Sequence, residues 1–254
     1  MGFMSNVTLR LFAVRHKLKF PTFIEYDPPS LMKHPNDNAR PSTVSAAPRR
    51  ARGRPACNDA GGADALLRSA RNAFAKSGYE ATSVREIARA SGVDPALVAH
   101  HFGSKEALWI AVVEQIVDES ASMIAKTAAL RETPDLGPRA RVEAAVSILI
   151  DQVFATPDVG MFFSTAATES GERLDVLIER VVRPYHDALV PLLADAIDAG
   201  EVPQQDPQVM FMLLVNGIGK TVSYSHVLSP FSSLPKRPKA FKQTVLISAL
   251  AMLG

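Results

Sequence analysis

Ser83 and Asp94 each stand where a side-chain oxygen can accept a hydrogen bond from an amide two or three residues on. Each therefore caps a helix start and leaves unpaired backbone N–H groups pointing outward, where the helix dipole favours a phosphate. Upstream lies a compact basic run, Arg49-Arg50-Ala51-Arg52-Gly53-Arg54. Arg52 and Arg54 in this run belong either to a solvated tail or to an arm that reaches phosphates or a minor groove. The chemistry on offer is recognition of a polyanion.

Other chemistries find less support. Gly217-Ile218-Gly219-Lys220-Thr221 ends like a phosphate-binding loop, but that loop needs glycine where this chain has Leu214, and it should follow a strand. His100-His101 makes a poor metal pair, because neighbours on a helix diverge by about 100° and no matching ligands are near. Cys57 is the single cysteine, so neither an intramolecular disulfide nor a cysteine-rich zinc site can form. No catalytic constellation, metal site or cofactor is implied.

The elements that must position these residues are helical. Leu66, Leu67, Ala70, Ala73 and Phe74 share one helix face, which Gly78 ends. Ser83-Val84-Arg85-Glu86 is a capping box opening a short helix to Ala90, with Val84, Ile87 and Ala88 inward. Ser91-Gly92-Val93 makes a tight turn, and Asp94-Pro95 starts a second short helix that closes at Phe102. After Gly103, Ser104 caps a longer helix over residues 105–130. Two short helices joined by a glycine turn, flanked by a helix on either side, describe a helix-turn-helix over residues 83–102, with residues 95–101 entering a major groove.

The rest repeats the pattern at larger scale. Val142, Ala145, Val146, Leu149, Ile150, Val153 and Phe154 keep one apolar face, and Pro157 opens a second helix through Met161 and Phe163. A third, from Leu174 to Leu193, should kink at Pro184 and Pro191, each of which lacks a backbone donor. Residues 207–228 and 241–253 are nearly apolar all round, so they need both a core and a partner. No alternating strand pattern appears after residue 60. The expected fold class is all-α, a three-helix helix-turn-helix DNA-binding domain followed by a larger helical domain.

Composition agrees. A chain of 254 residues, 47 % hydrophobic, can bury a sizeable core. The net charge of +2 hides an asymmetry: residues 1–47 carry +3, residues 48–108 carry +4 and residues 109–254 carry −5. Only the first parts suit a polyanion. Prolines 21, 28, 29, 35, 41 and 48 recur without period, so residues 1–60 read as a linker or disordered extension, residues 61–120 as the DNA-binding domain and residues 121–254 as the second domain. The uncharged stretches are too short to span a bilayer and the N-terminus lacks a signal-peptide pattern, so the expected location is the cytoplasm, with no membrane partner.

The stretch Gly78-Tyr79-Glu80-Ala81-Thr82-Ser83-Val84-Arg85-Glu86-Ile87-Ala88, then Ser91-Gly92-Val93, then His100-His101-Phe102-Gly103-Ser104-Lys105-Glu106-Ala107-Leu108, resembles the signature of the TetR family of bacterial transcriptional regulators. The resemblance covers residues 62–120 and implies a homodimeric repressor on a palindromic operator of double-stranded DNA, released by a small-molecule effector. An activator, or a chromosome-organising protein without a ligand, is the alternative. Carried over by position, Ser83 and Lys105 would hold phosphates, Arg85 a base edge or phosphate, Pro95, Ala96 and Leu97 would face bases, and His100 and His101 would approach the backbone. The family often has tyrosine where this chain has Ala99, which removes a phosphate contact and aromatic bulk. In this reading residues 207–253 pair across a two-fold axis, and Phe154, Phe162, Phe163, Tyr185, His186, Met210 and Phe211 are the candidate walls for a mostly apolar or aromatic effector.

Overall fold

A computed structural model describes residues 60–254, with side chains from Asp64 onward. The chain divides into two units at Ala63/Asp64, and the second, Asp64–Gly254, holds every contact below. The basic run with Arg52 and Arg54, and the expected linker that contains it, lie outside the described residues.

Among the described residues there are only helices and turns. α1 (Ala60–Ala81) leaves helical geometry at Gly78, whose φ of 75° puts it in the left-handed region that glycine tolerates. Thr82, which is buried, seals this end by donating to Gly78 O at 2.7 Å. α2 (Val84–Ala90) and α3 (Pro95–Phe102) follow, then the long α4 (Lys105–Ala129). Leu66, Ala70, Phe74, Ile87, Ala88, Val98, Leu108 and Trp109 bury the expected faces.

The larger part consists of α5 (Pro138–Ala155), α6 (Pro157–Ala166), α7 (Glu172–Leu177), α8 (Arg183–Asp198), α9 (Pro207–Ser223), α10 (Ser225–Leu228) and α11 (Pro238–Leu250). Its core joins Val146, Leu149 and Ile150 of α5 to Leu189, Leu192 and Leu193 of α8, Leu214 and Ile218 of α9, and Phe241 and Val245 of α11. No single helix among the described residues is long and apolar enough to cross a membrane; α5 and α6 meet at 91° across Thr156.

Two prolines act differently from one another. Between α7 and α8 the chain forms a π-helical segment, Ile178–Val182, which runs directly into Pro184. A proline has no N–H and its ring crowds the carbonyl four residues back, here Arg180, and a widened turn relieves both. Pro191 sits inside α8, which continues to Asp198. The apolar stretch over residues 207–228 is not one helix: Tyr224, at φ −104° and ψ 28°, separates α9 from α10.

α6 and α9 approach closely because Gly160 has no side chain. A Cβ there would collide with Ser223 Oγ and come within 3.2 Å of Gly219 O. Ser223 Oγ instead donates to Pro157 O at 2.6 Å. Gly219 and Lys220, part of the run resembling a phosphate loop, thus lie in the C-terminal part of α9, with a helix and no strand before them.

Polar contacts tie the first helices to the larger part. Arg71 of α1, 1 % exposed, pairs with Glu119 of α4 and Asp158 of α6, both at 2.7 Å. Thr165 of α6 donates to Ala75 O at 2.7 Å, Gln152 of α5 donates to Glu119 O at 3.1 Å, and Arg180 pairs with Glu114 of α4.

Candidate nucleic-acid interface

The helix starts are built as the residue types demand. Ser83 Oγ accepts from Glu86 N while the Glu86 carboxylate accepts from Ser83 N, both at 3.2 Å, which completes the capping box. Asp94 Oδ1 accepts from Ala96 N at 2.8 Å, with Pro95 at the first helical position. Ser104 Oγ accepts from Ala107 N at 3.0 Å. Between α2 and α3 the turn passes through Gly92, whose φ of 67° needs no side chain, and closes with Val93 N donating to Ala88 O at 3.0 Å. α2 packs against α3, and α3 against α4.

This arrangement leaves one face of the two short helices in solvent. Ser83, Arg85, Pro95, Ala96, Ala99 and His100 are exposed, and Leu97, His101 and Lys105 are half-buried, while Val98 alone of α3 is buried beneath them. A short helix that presents its first turn and keeps one residue in the core is suited to lie in a groove. The rings of His100 and His101 stand 5.5 Å apart in an edge-on arrangement. Burial, and then the neighbouring His100, push the His101 pKa below its ordinary value, so it is neutral at neutral pH.

Lys105 is not a loose tether. Its Nζ donates to Glu80 O at 3.1 Å and lies 4.4 Å from the centroid of the Tyr79 ring. The Arg173 guanidinium approaches the same ring at 3.9 Å and pairs with Glu80 at 3.1 Å and Glu169 at 2.8 Å. Sequence reasoning misses this support entirely: Arg173 lies far along the chain from Tyr79, and nothing in local pattern links them.

The seven candidate effector residues do not share one site. Tyr185 and His186 of α8 meet Phe211 of α9 at ring separations of 6.0 and 5.3 Å, with buried Met210 beside Phe211. Phe162 lies 6.1 Å from Trp109 and 6.3 Å from Phe163, close to the first helices. Phe154 packs on Phe241 at 5.4 Å. In the first of these clusters the buried Tyr185 hydroxyl and the buried Thr127 Oγ1 of α4 approach one another, and neither makes a well-formed hydrogen bond among the described residues. Desolvation drives the Tyr185 pKa well above the ordinary phenol value, so the hydroxyl stays protonated. His186 bonds Asp187 at 2.8 Å and also Gln208, and both contacts raise its pKa.

Comparison with known proteins falls on the same segment. The family model for bacterial regulatory proteins of the tetR family matches residues 66–112. The HTH-type transcriptional regulator BetI of Rhizobium meliloti (strain 1021) is 38 % identical over 149 residues, 55 % of this chain and 70 % of that protein. The chain belongs to the TetR family. It is a DNA-binding helix-turn-helix transcriptional regulator rather than an enzyme. Another TetR-family relative, the HTH-type transcriptional regulator RutR of Escherichia coli (strain K12), is 26 % identical over 150 residues, 59 % of this chain and 68 % of its own length. The fold likeness extends further: a bacterial regulatory protein in the tetR family from Rhodococcus RHA1 superposes with a TM-score of 0.57 at 21 % identity, over 76 % of this chain and 97 % of that one. The likeness of fold therefore includes the larger helical part, where no local motif announces it.

Proposed function

We propose that the protein is a homodimeric repressor that binds a palindromic operator through α2 and α3 and is released by a mostly apolar or aromatic small molecule, working in the cytoplasm. The observation that carries this reading is the exposed face of α2–α3. Two capped helix starts present free amides there, and Arg85 and Lys105 stand beside them. Ser83 and Lys105 take phosphates, Arg85 a phosphate or base edge, and Pro95, Ala96 and Leu97 offer apolar contacts such as thymine methyls. With alanine at position 99, recognition leans more on Arg85 and Lys105 and, outside the described residues, on Arg52 and Arg54.

Dimerisation through residues 207–253 is supported by apolar side chains left in solvent. Val209, Met212 and Leu213 of α9 and Ile247 of α11 are all more than half exposed. Residues 209, 212, 213 and 216 share one helix face, which carries an open trough of about 480 Å³ lined by Val209, Met212, Leu213, Asn216 and Gly217. A self-complementary pairing of this face would cover it.

For the effector, the cluster of Tyr185, His186, Met210 and Phe211 is the better supported wall, because the buried Tyr185 and Thr127 hydroxyls, which meet without a well-formed hydrogen bond, could turn to one polar group of an otherwise apolar ligand. Phe154, Phe162 and Phe163 serve the core in this reading. A ligand bound here would shift α4, which carries Thr127 near one end and Lys105 at the other, and so change the spacing of two reading heads. Half-sites are tolerated only near one helical turn or its multiples.

The test is selection of duplexes from a random library by the full-length protein, followed by sedimentation of the complex. The expected result is a palindrome with half-sites about one helical turn apart, bound by two chains, and Leu213→Glu should yield a monomer that binds it poorly. Recovery of unrelated sequences would favour a chromosome-organising protein, and a single half-site bound by one chain would refute the dimer.

A further inference from the structure

The least expected polar cluster in the molecule joins the second part of the chain to Lys105. Arg173 is the second residue of α7, whose start is Gly171 at φ 83° and whose end passes into the π-helical segment. Its guanidinium touches two consecutive residues of the reading head: it lies 3.9 Å from the Tyr79 ring centroid and donates to the Glu80 carboxylate at 3.1 Å. Its third contact, Glu169 at 2.8 Å, returns to the same place, since the other Glu169 oxygen accepts from Tyr79 N at 3.2 Å. Tyr79 and Glu80 are also the two residues that seat Lys105, through the ring at 4.4 Å and the Glu80 carbonyl at 3.1 Å.

We propose that Arg173 is a positioning residue for DNA binding, which fixes Tyr79 and Glu80 so that the Lys105 ammonium is presented to a phosphate in one orientation. The inference rests on the reading of Lys105 as a phosphate contact. An ammonium has three donors; one is engaged by the Glu80 carbonyl, and two stay available for phosphate oxygens. Without a fixed seat, the flexible lysine stem must be ordered at the moment of binding, which weakens the contact. Arg173 is suited to fixing the seat because its planar fork spans Glu80 and Glu169 while it stacks on the ring. It also stands on a short helix bounded by a left-handed glycine and a widened turn. A displacement of α7 would therefore reach Lys105 through this contact, without any change in α2 or α3.

A duplex selected by the full-length protein is titrated over a salt series with wild type, Lys105→Ala, Arg173→Gln, Glu80→Gln and the double variant Lys105→Ala/Arg173→Gln. Glu80, whose side chain is 82 % exposed, can be replaced without disturbing packing, so a failure of Arg173→Gln to fold would not remove the test. Removing the Glu80 charge would strengthen binding to a polyanion if charge alone mattered. Positioning predicts the opposite: Glu80→Gln and Arg173→Gln both weaken binding, roughly two- to five-fold, in line with the loss of a cation–π or ion-pair contact. It also predicts that Arg173→Gln lowers the salt slope by up to about 0.9, the share of one phosphate contact. In the Lys105→Ala background, Arg173→Gln should add nothing, and Arg173→Lys should restore part of the affinity. If Lys105→Ala weakens binding but the Arg173 effect is additive to it, or Glu80→Gln strengthens binding, the positioning role is overturned while the DNA-binding reading stands. If Lys105→Ala has no effect, both fall.

Discussion

Replacing Arg71 with methionine tests whether the first helix is held to the larger part by charge. The guanidinium is 1 % exposed and meets Glu119 and Asp158 at 2.7 Å, while those carboxylates keep 24 % and 23 % of their side chains in water. Methionine preserves most of the volume but leaves two carboxylates facing a site with no cation. Breaking a fully buried pair costs about 3–5 kcal/mol, and partial rehydration of the two acids places this case at the lower end, about 3 kcal/mol. For a unit of this size that corresponds to a fall in Tm of roughly 6–12 °C. Asp158→Asn should cost less, about 1 kcal/mol, because Arg71 keeps Glu119 and a neutral acceptor. Urea and thermal unfolding at one protein concentration would measure both. Arg71→Met melting within roughly 2 °C of wild type, or above it, would refute the reasoning and show that desolvation of the three charges cancels their attraction.

Two further outcomes follow from local geometry. Gly160→Ala should destabilise by about 2 kcal/mol despite alanine's better helix propensity, because the new methyl meets Ser223 Oγ and the Gly219 carbonyl; the urea midpoint should recover in part when Ser223→Ala is added, and a Gly160→Ala protein as stable as wild type would contradict the close α6–α9 approach. His186 has a pKa raised above 6.5 by Asp187 and Gln208, so the folded state binds its proton more tightly than the unfolded chain. Its contribution is therefore complete below pH 6.5 and lost as pH rises through the raised folded value. The stability gap between wild type and His186→Gln should narrow over that range, and a gap that widens with pH would contradict the assignment.

What was legible in the sequence is what short-range physics decides. The capping box at Ser83, the Asp94-Pro95 start and the Gly92 turn each need only a few neighbouring residues, and each forms as its residue types require. The apolar faces of α1, α5 and α8 were legible for the same reason, since helical period alone sorts buried from exposed. Distant pairings were not. Arg71 meets Glu119 and Asp158 across three helices, and Arg173 meets Glu80 across 93 residues of sequence; no local spacing encodes either. Pro184 marked a disturbance without saying that it would be a π-turn rather than a kink. Aromatic residues at helical spacing marked core, but not which of them would gather: Tyr185, His186 and Phe211 cluster, while Phe162 and Phe154 each join a different group.

The central claim is that the exposed face of α2–α3 reads DNA. The most direct measurement is titration of the full-length protein against a selected duplex and a scrambled control at several salt concentrations, with Arg85→Ala and Lys105→Ala beside wild type. Selective binding that both substitutions weaken is expected, with the salt slope of the Lys105 variant lower by about 0.9. Equal affinity for both duplexes, or variants that bind as well as wild type, would contradict the account.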